Sequence, residues 1–116
     1  MLNNVGFALA VEKLCGITVP ERAQYYRVVM GELARMADHL VCTAAMCMEL
    51  GAFTPFLWFT RAREMIFDIL EEETGARITH SFARVGGMAQ PPTDHFKPAI
   101  RAALPAVLAS MEEKLS

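Results

Sequence analysis

Cysteine is scarce and badly spaced for chemistry. Cys15, Cys42 and Cys47 are odd in number, and no two of them stand at CxxC spacing. A disulfide framework and a thiolate metal or redox centre are therefore not what organises this chain. All three lie in apolar helical stretches and are expected to be buried, reduced thiols. No run reaches the ~18 uninterrupted apolar residues of a membrane span, and Met1–Gly16 lacks the basic start of a secretory signal. Positive charge is in deficit: the net charge is −2, which leaves no basic patch to meet phosphate and argues against nucleic acid as a partner. Nucleotide and hydrolase motifs (GxGxxG, the Walker loop, GxSxG and HExxH) are absent. There is no internal repeat and no low-complexity segment.

What is present is apolar surface. With 116 residues the chain makes at most one domain, yet 53% of it is hydrophobic, above the ~45–50% usual for a free-standing soluble domain. Mean hydropathy is +0.27. The excess lies in 8 Met and 7 Phe spread around the helices, a pattern that predicts faces meeting other protein.

Periodicity predicts an all-α chain of about four helices. The first spans residues 4–14, with Phe7, Leu9, Ala10, Val11 and Leu14 apolar and Gly16 as its stop. The second spans 21–49 and carries apolar residues at steps of three and four: Tyr26, Val29, Met30, Leu33, Ala37, Leu40, Val41, Ala44 and Met48. At about 1.5 Å per residue it is about 40 Å long, more than a small isolated bundle needs. The third spans 55–74. Thr54 is its expected N-cap, Pro55 its first residue and Gly75 its end, and Glu71–Glu73 form an acidic last turn that opposes the helix dipole unless a cation such as Arg77 offsets it. Residues 78–92, with Gly86-Gly87 and Pro91-Pro92, form a long irregular connection of the kind that is often functional. A last helix, 94–114, is expected to be interrupted or kinked near Pro98 and Pro105.

Three constellations could carry chemistry. Glu49 is a lone carboxylate at the end of the long second helix, just before the turn Leu50-Gly51-Ala52; it is either solvated or set at the mouth of a cleft. Glu32, Arg35 and His39 share one face of that helix. They form either an ordinary exposed pair network or a partly buried polar track that orders a site or carries protons. Neither His39 nor His80 nor His95 has a second ligand at metal spacing, so no metal site is predicted. Arg77 and Arg84 bracket Thr79-His80-Ser81, an arrangement that suits an acidic partner surface, a neighbouring redox centre, or loop solubility alike. On the third helix, Arg61, Arg63 and Glu64 read as a solvated face, with Trp58 anchoring the core.

Five motifs in register carry a resemblance. Phe7-Ala8-Leu9-Ala10-Val11-Glu12-Lys13-Leu14, Pro20-Glu21-Arg22-Ala23, Gly51–Phe56, Thr74-Gly75-Ala76-Arg77 and Arg84-Val85-Gly86-Gly87 stand in the order and spacing of the D subunit of NADH:quinone oxidoreductase, respiratory complex I. The chain resembles only an internal part of that longer subunit, and the likeness weakens after Pro91. The resemblance implies helices from a core related to the large subunit of nickel–iron hydrogenases. It also implies a role beside the pocket where quinone is reduced, next to an iron–sulfur cluster held by a neighbouring subunit, with electron transfer from NADH coupled to ion translocation.

In that family a Tyr and a His hold the quinone head group, and both would lie outside this chain. An Asp stands behind that His, and the matching position here is Glu49. A carboxylate bonded to an imidazole orients it and stabilises its protonated form, so that the pair can protonate a reduced quinone. The family commonly has a His beside the cluster where this chain has Thr79, with His80 one residue on. That offset predicts a cluster potential with little pH dependence.

The resemblance further implies other complex I subunits as partners, above all the cluster-bearing subunit and the membrane subunit where quinone enters. It implies a place in the peripheral arm on the cytoplasmic side of a bacterial inner membrane, with no cofactor bound by this chain itself. Two other readings stand beside it. One is a fragment of a membrane-bound nickel–iron hydrogenase-like large subunit, whose paired CxxC motifs are absent here but in that family would lie outside a segment like this one. The other is a non-enzymatic helical module, stable alone and binding a partner by its Met- and Phe-rich faces, whose loose apolar surface also predicts self-association.

Overall fold

The computed structural model describes the backbone of residues 2–115 and the side chains of residues 2–112. Four helices carry the chain: α1 (Leu2–Cys15), α2 (Glu21–Glu49), α3 (Phe53–Thr74) and α4 (Phe96–Leu115). Between α3 and α4 lies a minimal antiparallel hairpin, β1 (Ala83–Arg84) and β2 (Gly87–Met88), with Ala83 opposite Met88 and Arg84 opposite Gly87. The all-α expectation holds. The hairpin is the one regular element that periodicity does not predict, since two-residue strands carry no readable alternation.

The core is a seam between α2 and α3, closed at one end by α4. Met30, Leu33, Ala37, Leu40 and Ala44 of α2 meet Phe59, Ala62, Ile66, Phe67 and Leu70 of α3, with Phe96 and Val107 of α4 alongside. The Tyr26 ring packs edge-on against Phe82 and Phe96. Small residues at Ala37, Ala44 and Ala62 are buried to 2% exposure or less, letting the two long helices approach closely.

Helix ends follow from backbone chemistry. At the end of α2, Gly51 adopts φ +84, the left-handed conformation that costs an L residue most and glycine least. With it, the Ala52 amide donates to the Cys47 carbonyl at 2.9 Å and the Leu50 amide to Met46 at 3.2 Å, closing carbonyls that the helix would otherwise leave unpaired. Gly75 closes α3 in the same left-handed way, its amide donating to Glu71 at 2.8 Å.

Several expectations need correction. α3 begins at Phe53, not Pro55; Ala52 is its N-cap, with no side-chain cap bond. The turn after Gly51 already sets helical geometry, so Thr54 and Pro55 fall inside the first turn. α4 runs unbroken through Pro105, because losing one backbone hydrogen bond does not outweigh the packing of Phe96 and Val107. Val29 and Met48 of the predicted α2 stripe are exposed. On α1 the buried residues are Ala8 and Glu12, while Phe7, Leu9 and Leu14 face outward at 69, 52 and 85% exposure. Trp58 is 36% exposed and lies off the core that Phe59 and Ala62 build. Cys15 and Cys42 are exposed, whereas Cys47 is half-buried and packs against the core, so two of the three thiols are not the buried residues expected.

Candidate functional site

Two charged groups on the helices are buried. Glu12 of α1 and Arg27 of α2 form a bidentate ion pair at 3.0 and 2.7 Å, each 5% exposed or less. Arg27 also donates to the Arg84 and Gly87 carbonyls at 2.7 Å, and the Gly86 amide donates to Glu12 at 2.8 Å. Those contacts pin the hairpin to both helices. The Arg27 hydrogen bond holds the Glu12 carboxyl below its ordinary range, against the opposing effect of burial.

Glu73, at the end of α3, is 2% exposed. It accepts the Tyr26 hydroxyl at 2.5 Å and the Thr93 amide at 3.2 Å, and it also accepts the Thr93 hydroxyl. Burial, together with the bond to Glu73, pushes the Tyr26 phenol well above its ordinary value. The acidic last turn is therefore split: Glu73 is a buried latch among α2, α3 and the segment that leads into α4. Glu71 joins Glu64 and Asp68 on Arg77, bonded at 2.6 Å from Glu71 and 3.0 Å from Asp68. The cation expected to offset that turn is indeed Arg77, and its guanidinium is raised still further above its ordinary value by those carboxylates.

The predicted site residues fall in three separate places. Glu49 is the last residue of α2; its side chain is exposed and has no hydrogen-bond partner among the described residues. Around it the corner between α2 and α3 is an apolar surface in which Met46, Leu50, Phe53 and Leu57 are all more than half exposed. Glu32 and Arg35 pair at 3.0 Å with both side chains about half exposed, and His39 is exposed beside them. In this chain that face is a solvated helix surface, because the buried stripe of α2 runs through Leu33, Ala37 and Leu40 on the other side.

The third place is the loop after α3. Arg84 folds back on its own loop, donating to Ser81 and to the Ala83 carbonyl. Thr79 takes φ +59, a left-handed conformation unfavourable for a β-branched residue, and is exposed. The next residue, His80, lies inward at 9% exposure, edge-on to Phe67 with ring centroids 5.8 Å apart. Burial lowers the imidazole below its ordinary value, so the ring is neutral at pH 7. His80 shares a cleft of about 370 Å³ with Asp38 of α2 and Arg63 of α3. The Arg63 guanidinium lies 4.2 Å from the Phe67 ring centroid, a cation–π contact. Asp38 is eleven residues before Glu49 on α2, about 16 Å along the helix axis, so this cleft and the Glu49 corner are distinct.

Sequence reasoning misses Glu12, Arg27, Glu73 and Arg63. A signal exists for two of them: Glu12 lies four residues after buried Ala8, and Glu73 lies three and four after Leu70 and Ile69, the spacing of a shared face. Among the described residues no three His, Cys, Asp or Glu side chains are gathered to hold a metal. Among the described residues, no helix is long and apolar enough to cross a membrane.

Comparison with known proteins gives these features a setting. Residues 49–115, more than half of the chain, match the family model described as respiratory-chain NADH dehydrogenase, 49 kDa subunit. The chain is similar to the NADH-quinone oxidoreductase D subunit 1 of Sorangium cellulosum, 67% identical over 113 residues that make up 97% of this chain and 28% of that protein. It is 58% identical over 99 residues to the D subunit 2 of Rhizobium etli strain CIAT 652, covering 85% of this chain and 24% of that protein. To the D subunit 1 of Anaeromyxobacter dehalogenans it is 47% identical over 113 residues, 97% of this chain and 26% of that protein. The chain thus spans about a quarter of the length of these relatives. With the family match covering the Glu49 corner, α3, the His80 loop and α4 together, the chain belongs to the 49 kDa subunit family of respiratory-chain NADH dehydrogenase.

Proposed function

We propose that this chain is a helical segment of the subunit that builds the quinone-reduction pocket of an NADH:quinone oxidoreductase, with Glu49 as the carboxylate that supports the quinone-site imidazole. The observation that carries this reading is the Glu49 corner. An acid sits at the end of the longest helix, at a turn fixed by Gly51, inside an apolar surface that nothing among the described residues covers. An exposed patch of large apolar residues marks a surface that meets other protein. Placed against polypeptide outside this chain, Glu49 would lie at the edge of a dry pocket, where a carboxylate strongly favours the protonated form of an imidazole beside it. That imidazole, from elsewhere in the full-length subunit, would hand its proton to the reduced quinone, and the longer Glu stem sets the reach.

The loop after α3 faces a neighbouring subunit in this reading, and electrons arrive from a cluster held there. Thr79 cannot titrate. His80 is buried and kept neutral, so neither supplies a proton-coupled group at the loop surface, and the cluster potential is expected to change little with pH. A redox titration of the assembled enzyme with a steep pH slope would contradict that part. Ion translocation belongs to the same proposal through the complex as a whole, and this segment supplies none of its membrane path.

The test of the Glu49 role is Glu49→Gln in the assembled enzyme. Quinone-dependent turnover should fall by roughly tenfold or more, a fraction of the ~10²–10⁴ that positioned proton transfer contributes. NADH oxidation by an artificial acceptor that bypasses the pocket should be unchanged. Unaltered quinone turnover removes Glu49 from the mechanism.

A further inference from the structure

A groove of about 810 Å³ lies between the start of α2 and the start of α4, within the ~300–1,000 Å³ range of small-molecule sites. Its floor is apolar and fixed. Tyr26 and Phe96 are buried with ring centroids 4.9 Å apart, and the Glu73 carboxylate holds the Tyr26 hydroxyl at 2.5 Å. Val29 and Ile100 carry the apolar lining toward the surface. The walls are charged. Arg22 stands on the α2 side, Lys97 and Arg101 on the α4 side one helical turn apart, and all three are exposed. Among the described residues none of these three has an ion-pair partner, whereas Arg27, Arg35 and Arg77 do. Arg22 and Lys97 also lie in the first turns of their helices, where the helix dipole disfavours a cation. The two carboxylates on the groove, Glu21 and Asp94, stand at those same helix starts, where the dipoles favour them. Three cations against two carboxylates leave the groove with one positive charge, in a chain whose net charge is −2.

We infer that this groove is a binding site for a monoanionic amphiphile, an alkyl carboxylate whose chain lies on Tyr26, Val29, Phe96 and Ile100 and whose head group is met by Arg22, Lys97 and Arg101. The charge balance selects a monoanion, since a phosphate monoester dianion would leave the groove negative. The floor selects an alkyl body, since a small hydrated anion would leave that apolar surface wet. Guanidinium groups suit the head, because their paired N–H donors match a carboxylate. Glu49 lies twenty residues beyond Val29 on α2, about 30 Å along the helix axis. The site is therefore separate from the Glu49 corner, and the inference does not depend on the quinone reading.

The test titrates the 116-residue chain, labelled on its Ile and Val methyl groups and kept dilute, with octanoate. The Ile100 and Val29 methyl resonances should shift together and saturate with one dissociation constant. Octanol lacks the charge and should bind at least roughly tenfold more weakly, the worth of one hydrogen bond to a charged group. Acetate lacks the chain and should give no saturable shift, and octyl phosphate should bind more weakly than octanoate. Arg101→Gln should weaken octanoate about tenfold on the same reasoning. Arg35→Gln, whose cation pairs with Glu32 elsewhere on α2, should leave binding unchanged. Both substituted side chains are exposed, and the wild-type series decides the matter even if a variant fails to fold. No saturable shift at Ile100 overturns the inference. Octanol or octyl phosphate binding as tightly as octanoate, or octanoate binding unchanged in Arg101→Gln, overturns it as well.

Discussion

At the scale of single residues, the buried carboxylates decide most. Glu73 accepts hydrogen bonds from Tyr26 and Thr93 inside the core, so Tyr26→Phe leaves the ring packing in place and removes one donor to a buried charge. We expect it to cost about 1–3 kcal/mol of stability, read by chemical denaturation with an unchanged m value. Acid should weaken the fold in two steps. His80 is lowered from 6.5 by burial; the unfolded ring takes a proton below pH 6.5 that the folded ring resists, so stability falls as pH drops through 6.5 toward the folded value. Glu12 is lowered from 4.5, chiefly by its Arg27 bond. Its stabilisation is therefore complete above pH 4.5 and lost as pH falls through the still lower folded value. His80→Phe should flatten the first step and leave the second, as followed by denaturation midpoints across pH.

The elements show what a sequence can and cannot tell. The four helices are legible because Tyr26, Met30, Leu33, Ala37, Leu40 and Ala44 repeat at helical steps and Gly16, Gly51 and Gly75 end the helices in left-handed turns. The start of α3 is not, because the cap signal of Thr54-Pro55 competes with a backbone turn already fixed by Gly51. The hairpin is not legible either. It is held by Arg27, whose partners Glu12, Arg84 and Gly87 lie 15, 57 and 60 residues away in sequence. No local pattern encodes such a contact. Arg27→Met should therefore loosen the hairpin selectively: amide exchange should accelerate at Gly86, bonded to Glu12, and at Ala89, bonded to Phe82, while Met30 and Ile66 amides stay protected. Equal exchange at Gly86 would show that the ion pair does not hold it. Thr79→Gly should stabilise the chain by up to about 1 kcal/mol, since relief of left-handed strain exceeds the added backbone entropy, measured in the same unfolding assay. Of the candidate site, Glu49 and His80 are visible as residues, whereas the cleft joining His80 to Arg63 is a product of tertiary packing.

The whole molecule is elongated, 50 × 30 × 21 Å with a radius of gyration of 16.1 Å, against about 13 Å for a compact domain of this length. Its outward apolar side chains include Phe7, Leu9 and Leu14 on α1, Tyr25 and Val28 on α2, Met46, Leu50, Phe53 and Leu57 at the α2–α3 corner, and Leu108 on α4. A shape and surface of this kind suit a segment of a larger subunit. Alone in solution the chain should associate, with a scattering mass that rises with concentration above 12.8 kDa; a constant monomer mass would mean the faces are tolerated by water. The most direct measurement replaces the matching 113 residues of the Sorangium cellulosum relative with those of this chain and assays the assembled complex. The account predicts assembly with quinone-dependent NADH oxidation retained, and lost on Glu49→Gln. A chimera that assembles and oxidises NADH with an artificial acceptor, yet cannot reduce quinone with Glu49 intact, would contradict it.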